Sequence, residues 1–357
     1  MTAAAHRLAV AYPGRDITLT DSGTSALILA LLRTRPTDDR RPCIALPAYA
    51  CPDIGTAAIG AGYRIMLYDV VPDSLEPDLE SLRRCLKAGA THVLAVHLFG
   101  RLVNVARVEH EAAPFGAVVI EDAAQHAGGS RDGVRGGALS TWSILSFGRG
   151  KGLNAGGGGA LLRVRNNAPA PPVLDLPGVA ASLSVLAKAT LTELLSAPWI
   201  YWLPQAIPAL RLGETVYHVP STPRSMTIAS ASLLVEALDR ETAALGERRQ
   251  YEQHYQQALR HRAGLMLRAP DTGVLSGALR FPVRIRPTVG IALASLGVVR
   301  SYPRILSEYG ALAAHIEALP HALTGATELA ATLHTLPTHA RVQVDDMEKM
   351  VQQLSRS

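Results

Sequence analysis

Lysine and cysteine are scarce in this chain. Only four of its 35 basic residues are lysines, and its three cysteines (Cys43, Cys51 and Cys85) are widely spaced. An odd set of cysteines without metal-ligand spacing gives no reason to expect a metal site and is consistent with a reducing cytoplasm. The net charge of +5 without a Lys/Arg block gives no indication of nucleic-acid binding, although it would suit an anionic small substrate.

A long uninterrupted apolar run is also missing. Residues 168–212 form an apolar segment, but its longest uncharged stretch, 194–210, contains Pro198, Pro204 and Pro208. Three prolines would break a membrane-spanning helix, and the first sixteen residues lack a signal-peptide core. We expect an insertion that packs on the body of the protein or at a subunit contact. The alternative is a surface that touches lipid or an apolar substrate.

The sequence has the composition of a globular protein, with 357 residues of which 48% are hydrophobic. Its first half alternates short apolar runs, typical of strands, with segments of helical spacing. The runs are 43–46, 64–68, 92–97, 117–121 and 141–146, and the helical segments are 25–33, 54–61, 79–87 and 103–113. This alternation predicts an α/β fold with a mostly parallel, doubly wound sheet.

The pattern changes after about residue 226. A long helix to about residue 259, a strand near 279–285 and further helices are predicted there. We therefore predict a large domain over residues 1–240, including the apolar insertion, and a smaller C-terminal α+β domain over residues 241–357.

The most informative lysine is Lys151, which lies in a glycine-rich loop after the strand 141–146. A phosphate-binding P-loop does not fit, because Leu145 stands at its first glycine and Gly152 at its Ser/Thr position. A flexible surface loop is the plain alternative. In an arginine-rich chain, lysine has a chemical advantage, since its amine can lose a proton and form a Schiff base.

Three further features follow strand ends. The run Gly23-Thr24-Ser25 opens a helix, where free N–H groups and two hydroxyls can hold a phosphate, although a plain N-cap is the alternative. Asp122 ends a β-branched strand, and Ser146 ends the strand before Lys151. A phosphate grip, a carboxylate and a Schiff-base lysine are together what pyridoxal phosphate requires.

These motifs resemble those of the DegT/DnrJ/EryC1/StrS sugar aminotransferases, which are fold type I pyridoxal-phosphate enzymes. The resemblance covers nearly the whole chain. Its most specific part is the pair E-D-A-A-Q at 121–125 and S-F-x-x-x-K at 146–151. The other matching runs are S-G-T-S-A-L at 22–27, L-P-A-Y at 46–49, D-V-V-P-D-S-L at 69–75, H-L-F-G at 97–100, Tyr302-Pro303 and L-H-T-L-P at 333–337.

The resemblance implies a role for each matching residue. Lys151 would form the Schiff base with the cofactor and then move a proton between the substrate carbon and the cofactor. Asp122 would pair with the protonated pyridine nitrogen, and Gln125 would hydrogen-bond the ring oxygen. The phosphate would be held by the helix start and the strand end (Gly23, Thr24, Ser25 and Ser146).

Among the departures of this sequence from the family's pattern, three bear most on the function. Cys51 stands where relatives have an aromatic residue that stacks on the cofactor ring, so Tyr49 or the Cys51 sulfur is a candidate replacement. The N-Y-R-M run of relatives is Pro223-Arg224-Ser225-Met226 here, so the Asn that reaches the partner subunit's phosphate is absent, and Arg224 could supply charge instead. The apolar insertion is the third departure.

The resemblance implies a cytoplasmic, homodimeric aminotransferase that moves an amino group, from L-glutamate, onto a keto sugar carried on a nucleotide diphosphate. The departures keep other readings open. One alternative acceptor is a non-nucleotide or lipid-linked ketone, and another reading is a non-catalytic cofactor-binding regulator. A sugar dehydratase is disfavoured, because those relatives replace the lysine with histidine.

Overall fold

A computed structural model describes residues 2–38, 40–165, 173–195, 217–262, 264–318 and 321–356. The strands are β1 (Arg15–Thr20), β2 (Cys43–Pro47), β3 (Arg64–Tyr68), β4 (His92–Val96), β5 (Val118–Asp122), β6 (Ser130–Arg131), β7 (Val134–Arg135), β8 (Trp142–Ser146), β9 (Gly159–Val164), β10 (Val274–Leu275), β11 (Arg280–Arg284) and β12 (Leu333–Pro337). The helices are α1 (Thr2–Ala11), α2 (Gly23–Arg33), α3 (Asp53–Gly60), α4 (Leu79–Lys87), α5 (Val105–Ala112), α6 (Val179–Leu195), α7 (Ile228–Asp239), α8 (Glu241–Leu259), α9 (Pro287–Ala292), α10 (Gly310–Ala313), α11 (Thr324–Thr332) and α12 (Val344–Arg356).

A seven-stranded sheet in the order β1-β9-β8-β5-β4-β2-β3 forms the centre of the protein. Within it, β8, β5, β4, β2 and β3 pair in parallel, and β9 runs antiparallel to both of its neighbours. Each inner parallel strand is buried on both faces, which explains why these strands were visible in the sequence as continuous apolar runs.

Both faces of the sheet are covered by helices. Side chains of successive strand residues point to opposite faces, so Ile44 packs in one core and Ala45 in the other. The first core includes α2, α3 and segments of the C-terminal part, and the second includes α4 and α5. A third core joins α1 and α7 to β9. The predicted doubly wound α/β architecture is confirmed.

The five predicted strands and four predicted helices of the first half are present within two residues of their expected bounds. Strands β1 and β9 were not predicted. Their sequences explain this, because β1 alternates polar residues with only two aliphatic ones and β9 begins with glycine.

The prediction of one long helix from residue 226 to 259 is wrong. The helix is interrupted at Arg240, which ends α7 and precedes α8. Just beyond the interruption, Glu241 forms an ion pair with Arg135 of β7. Contacts between residues so distant in sequence leave no trace in local periodicity, which is why the interruption was not predicted.

The C-terminal part contains a two-stranded antiparallel sheet of β11 and β12. Its own core includes Tyr255 of α8, Val283 of β11 and Met350 of α12. The strand near 279–285 was predicted, but β12 lies where only helices were expected. The division at residue 240 stays a prediction.

About half of the apolar insertion, residues 168–172 and 196–212, lies outside the described residues. The described portion comprises 173–195 and contains α6. None of the helices in the described part of the chain has the length and apolar character that a membrane crossing requires.

Candidate active site at the carboxyl edge of the sheet

The sequence-predicted site residues meet at one edge of the central sheet. Thr20, at the end of β1, pairs with Gly159, and Gly159 pairs in turn with Ser146 at the end of β8. Asp122 ends the neighbouring strand β5, where it pairs with Ile144. Because β5 and β8 are parallel, their carboxyl ends and the turn into α2 share one edge, which is where ligands bind in open α/β sheets.

The turn into α2 is built as an anion cradle. Ser22 caps the helix, and its hydroxyl accepts the Ser25 N–H at 3.0 Å. The Ser22 hydroxyl also donates to the buried Ser25 hydroxyl at 3.0 Å. The first N–H groups of a helix, here those of Gly23 and Thr24, have no partner within the helix and attract anions.

Gly23 and Ser146 join the two halves of this cradle. A Cβ atom added at Gly23 would lie 2.8 Å from the Ser146 Cβ, which is too close for two carbon atoms that are not bonded to each other. Glycine is therefore needed for the helix start to approach the end of β8. Sequence reasoning identified both residues but missed Ser22, whose hydroxyl orders the turn.

Asp122 is a buried carboxylate whose environment disfavours its charge. Burial raises the pKa of the Asp122 carboxyl, and a hydrogen bond from the Ala124 N–H, together with the nearby Lys151 ammonium, lowers it only in part. The Ala124 N–H donates to Asp122 Oδ1 at 2.9 Å. A cationic N–H donor placed beside this carboxylate would stabilise its ionised form.

Glu121, the preceding residue, has the opposite environment because it faces the other side of β5. Burial opposes its ionisation, but hydrogen bonds from His97, Gly137 and Ser143 lower its pKa overall. The carboxylate also accepts backbone N–H groups from a turn in the chain (Gly137, Leu139 and Ser140). Sequence reasoning assigned Glu121 no role of its own, since its partners belong to other elements.

The tautomer of His97 follows from its partners. The Val103 N–H donates to His97 Nδ1 at 3.2 Å, so this nitrogen carries no hydrogen. His97 Nε2 therefore donates to Glu121 Oε1, at 2.9 Å. This hydrogen bond ties the segment that follows β4 to β5 next to Asp122.

Gln125 is held from both sides. Its Oε1 accepts the Phe99 N–H at 3.0 Å, and its Nε2 donates to the Tyr302 hydroxyl at 2.6 Å. Tyr302 comes from the C-terminal part of the chain and is a site residue that the analysis missed. The Tyr302-Pro303 motif had been noticed, but nothing local linked it to Gln125, which is 177 residues away.

Lys151 lies half-buried in a loop packed on the segment after Asp122. A Cβ atom at Gly152 would lie 2.5 Å from the Ala127 Cα, so this close approach requires glycine. The Lys151 ammonium is close enough to lower the pKa of the Asp122 carboxyl and of the Cys51 thiol, although burial dominates both shifts. The structure therefore brings Lys151, Asp122 and Cys51 together.

Cys51, not Tyr49, borders this space. Burial raises the pKa of Cys51 to about 12, and both Lys151 and Asp122 act on it. Tyr49 is fully buried, and the centre of its ring lies 5.4 Å from that of Tyr302 at an angle of 75°. A fully buried ring offers no surface on which a cofactor could stack.

The insertion approaches the same loop from outside. A Cβ atom at Gly156 would lie 3.1 Å from a methyl carbon of Val185, so α6 packs on the glycines that follow Lys151. On another face of α6, Val179, Leu183 and Leu186 are 78%, 61% and 46% exposed.

Arg224 is exposed, and its carbonyl oxygen accepts the Asp21 N–H at 2.9 Å beside the anion cradle.

Comparison with known proteins gives relatives for the first half of the chain. Residues 9–170 match the DegT/DnrJ/EryC1/StrS aminotransferase family. An L-glutamine:2-deoxy-scyllo-inosose aminotransferase of Streptomyces fradiae is 29% identical over 143 residues, 40% of this chain and 33% of that protein. A dTDP-4-dehydro-2,3,6-trideoxy-D-glucose 4-aminotransferase of Saccharopolyspora spinosa is 29% identical over 157 residues, 43% of this chain and 39% of that protein.

A Pleiotropic regulatory protein of Geobacillus stearothermophilus is 30% identical over 102 residues, which are 29% of this chain and 27% of that protein. The chain thus spans about a third of the length of the curated relatives it matches.

Solved structures extend the likeness to the whole fold. A DegT DnrJ EryC1 StrS aminotransferase from Brucella abortus has a TM-score of 0.76 at 21% identity, covering 99% of this chain and 89% of that chain. The PLP-form of the putative sugar aminotransferase Spr1654 from Streptococcus pneumoniae has a TM-score of 0.73 at 18% identity, covering 99% and 89%. At such identities the likeness concerns the fold alone, and the predicted fold type I class is confirmed.

Proposed function

We propose that this chain is a pyridoxal-phosphate-dependent aminotransferase. Residues 9–170 match the DegT/DnrJ/EryC1/StrS aminotransferase family, as their motifs predicted. The proposed reaction moves an amino group from L-glutamate to a keto sugar carried on a nucleotide diphosphate. The observation that carries the proposal is the convergence of Lys151, Asp122 and the start of α2 at one edge of the sheet.

The residues at this edge fit pyridoxal phosphate. Burial raises the pKa of the Asp122 carboxyl despite the nearby Lys151 ammonium, and a protonated ring nitrogen would offset this effect of burial. The N–H groups of Gly23 and Thr24, with the Ser146 hydroxyl, suit a phosphate. The Lys151 amine lies close to Asp122, as binding an aldehyde on the same ring requires.

Each residue then has a defined task. Bound pyridoxal phosphate would supply an aldehyde for the lysine and a ring that delocalises an electron pair. The Lys151 amine would hold the aldehyde and would then move a proton at the donor's α carbon. Asp122 would hold the proton of the ring nitrogen, and Gln125 would donate to the ring oxygen. The pair His97–Glu121 keeps the strand that carries Asp122 in register.

A second acceptor class is favoured by particular observations. The Streptomyces fradiae relative is named for 2-deoxy-scyllo-inosose, a substrate name without a nucleotide. The apolar side chains exposed on α6 (Val179, Leu183 and Leu186) lie on an element that packs against the lysine loop. An acceptor without a nucleotide, or one linked to a lipid, would suit this surface. The name of the Geobacillus stearothermophilus relative supports a third possibility, a cofactor-binding regulator without turnover.

The proposal includes a cytoplasmic homodimer whose partner subunit completes the phosphate site. Arg224 is exposed and directly follows Pro223, which stands in the position of the missing Asn, so the Arg224 guanidinium is the candidate for this contact. Light scattering over a dilution series, combined with measurement of cofactor retention, tests this part. A monomer with full activity contradicts it.

The test of the function is a half-reaction followed by absorbance. L-glutamate is added to the protein loaded with pyridoxal phosphate, and the proposal predicts that the visible absorbance of the bound cofactor shifts to the near ultraviolet. L-glutamine is the alternative donor, and Lys151→Ala is the control that should not respond. Nucleotide-linked and free keto sugars are then compared as acceptors. Binding of the cofactor without response to any amino donor would favour the regulator.

A further inference from the structure

We propose that Tyr302, contributed by the C-terminal part of the chain, is a positioning residue of this site: it fixes the Gln125 amide so that an N–H faces the cofactor. The proposal rests on the proposed function, because pyridoxal phosphate is the ligand that the amide would contact. Neither the sequence motifs nor the comparisons assign Tyr302 a role.

The orientation of the Gln125 amide follows from its two partners. The Phe99 N–H can only donate, so the amide atom that faces it at 3.0 Å is the oxygen. The nitrogen Nε2 then lies on the other side and donates one hydrogen to the Tyr302 hydroxyl at 2.6 Å. Nε2 carries a second hydrogen, and this is the one that can serve a ring oxygen beside Asp122.

The Phe99 N–H and the Tyr302 hydroxyl form the two arms of a clamp on the Gln125 amide. The Phe99 arm is held in an uncommon backbone conformation. Phe99 has φ = +59°, a region that a residue with a Cβ atom seldom adopts. Such a conformation persists only where the surroundings fix it, and it is frequent at functional sites. Here the Arg280 N–H donates to the Phe99 carbonyl at 3.3 Å, and the Gly277 N–H donates to the Gly100 carbonyl at 2.8 Å. Both arms of the clamp therefore depend on the C-terminal part.

Tyr302 also provides an aromatic wall next to Cys51. Its ring lies 6.1 Å from the Phe99 ring at an angle of 29°, and Tyr49 packs edge-on behind it. Burial raises the pKa of the Tyr302 hydroxyl well above its ordinary value, and Cys51 and Asp122 raise it further. The hydroxyl therefore stays protonated at neutral pH, and its oxygen accepts from Gln125 Nε2.

Two variants separate the hydroxyl from the ring. Tyr302→Phe removes only the partner of Gln125, whereas Tyr302→Ala also removes the aromatic wall. The affinity for pyridoxal phosphate is measured by titration of the full-length chain. Tyr302→Phe should weaken it roughly three- to tenfold, the range expected for one neutral hydrogen bond. Tyr302→Ala should weaken it by a further factor of about ten, since an aromatic contact is lost as well.

A double-mutant cycle with Gln125→Leu distinguishes positioning from packing. If Tyr302 acts through Gln125, Tyr302→Phe should have no further effect in the Gln125→Leu background. The matched control is Tyr251→Phe, which removes a hydroxyl that donates to the Val342 carbonyl at 3.2 Å in the C-terminal part. This control should lower stability slightly and leave the affinity unchanged.

The outcomes separate the two proposals. Suppose that the wild-type chain binds pyridoxal phosphate. If Tyr302→Phe then does not weaken binding, or weakens it equally with Gln125 and with Leu at position 125, the role of Tyr302 is overturned and the proposed function stands. A wild-type chain that does not bind pyridoxal phosphate overturns the proposed function and, with it, the role of Tyr302.

Discussion

Two adjacent carboxylates on β5 should respond in opposite ways to the loss of their charge. Glu121 is surrounded by donors that stabilise its ionised form, whereas burial disfavours the ionised form of Asp122. Glu121→Gln should therefore lower the free energy of unfolding. Asp122→Asn should leave the free energy of unfolding of the cofactor-free protein unchanged or raise it, yet remove the partner of the cofactor's ring nitrogen.

The magnitude for Glu121 follows from its partners. The fully buried carboxylate accepts hydrogen bonds of 2.9 Å from His97 Nε2, 2.5, 2.8 and 3.2 Å from the backbone N–H groups of Gly137, Leu139 and Ser140, and 2.8 Å from the Ser143 hydroxyl. A glutamine side chain keeps one oxygen, but its NH2 group would face N–H groups that cannot accept a hydrogen bond from it. Leaving one or two buried donors unsatisfied costs about 1–3 kcal/mol each, so we expect a loss of about 3–5 kcal/mol.

The pH dependence has a defined sign for each residue. The pKa of Glu121 is lowered in the folded state, so its stabilisation is present above the ordinary pKa of glutamate and is lost as the pH falls through the folded value. The variant and the wild type should therefore converge in stability at acid pH. The pKa of Asp122 is raised, so its ionised form is unfavourable for folding at neutral pH, and asparagine relieves this.

Urea unfolding of both variants at neutral and acid pH checks these signs, together with the half-reaction with L-glutamate. Asp122→Asn should fold normally but slow the proton shift by several orders of magnitude. Equal destabilisation by the two substitutions would refute the assignment of the two carboxylates to opposite faces. A near-normal half-reaction in Asp122→Asn would mean that another residue pairs with the ring nitrogen.

Two further predictions concern the cradle and the thiol. Gly23→Ala should lose affinity for pyridoxal phosphate, because its Cβ would lie 2.8 Å from the Ser146 Cβ. The control Gly246→Ala has open space on α8, so it should bind normally and gain about 0.5–1 kcal/mol of stability. Cofactor titration and urea unfolding of both variants check this, and equal cofactor affinity would contradict the steric argument. Burial raises the pKa of Cys51 to about 12, so this thiol should react slowly with thiol reagents at neutral pH and faster as the pH rises. Bound pyridoxal phosphate should protect Cys51 from labelling, which mass spectrometry measures. Labelling that the cofactor does not affect would mean that Cys51 does not border the site.

The sequence was sufficient for the fold wherever burial leaves a local pattern. Strands such as β4 are buried along their whole length and apolar except for the first residue, so they were found within one residue. In contrast, β1 and the interruption at Arg240 depend on partners far along the chain, as the pairing of β1 with β9 illustrates. The residues at the strand ends, such as Asp122 and Lys151, were predictable because a parallel sheet collects the carboxyl ends of its strands.

The parts of the site that were not predictable are those built by contacts between distant segments. Tyr302 contacts Gln125, 177 residues away in the sequence. Glu121 receives its hydrogen bonds from the residue after β4, from β8 and from the turn before β8. A single sequence records the residues of such a network but not their pairing. The insertion likewise has a clear composition, but its sequence does not say what covers the exposed side chains of α6.

The central claim is that Lys151 holds the cofactor, and borohydride reduction of the loaded protein followed by peptide mapping tests it most directly. Reduction makes the bond between the lysine and pyridoxal phosphate permanent, so the labelled peptide identifies the residue. The account predicts a label on Lys151 and a Lys151→Ala variant that folds but has neither the yellow colour nor turnover. A label on Lys87, Lys188 or Lys349 would contradict the account.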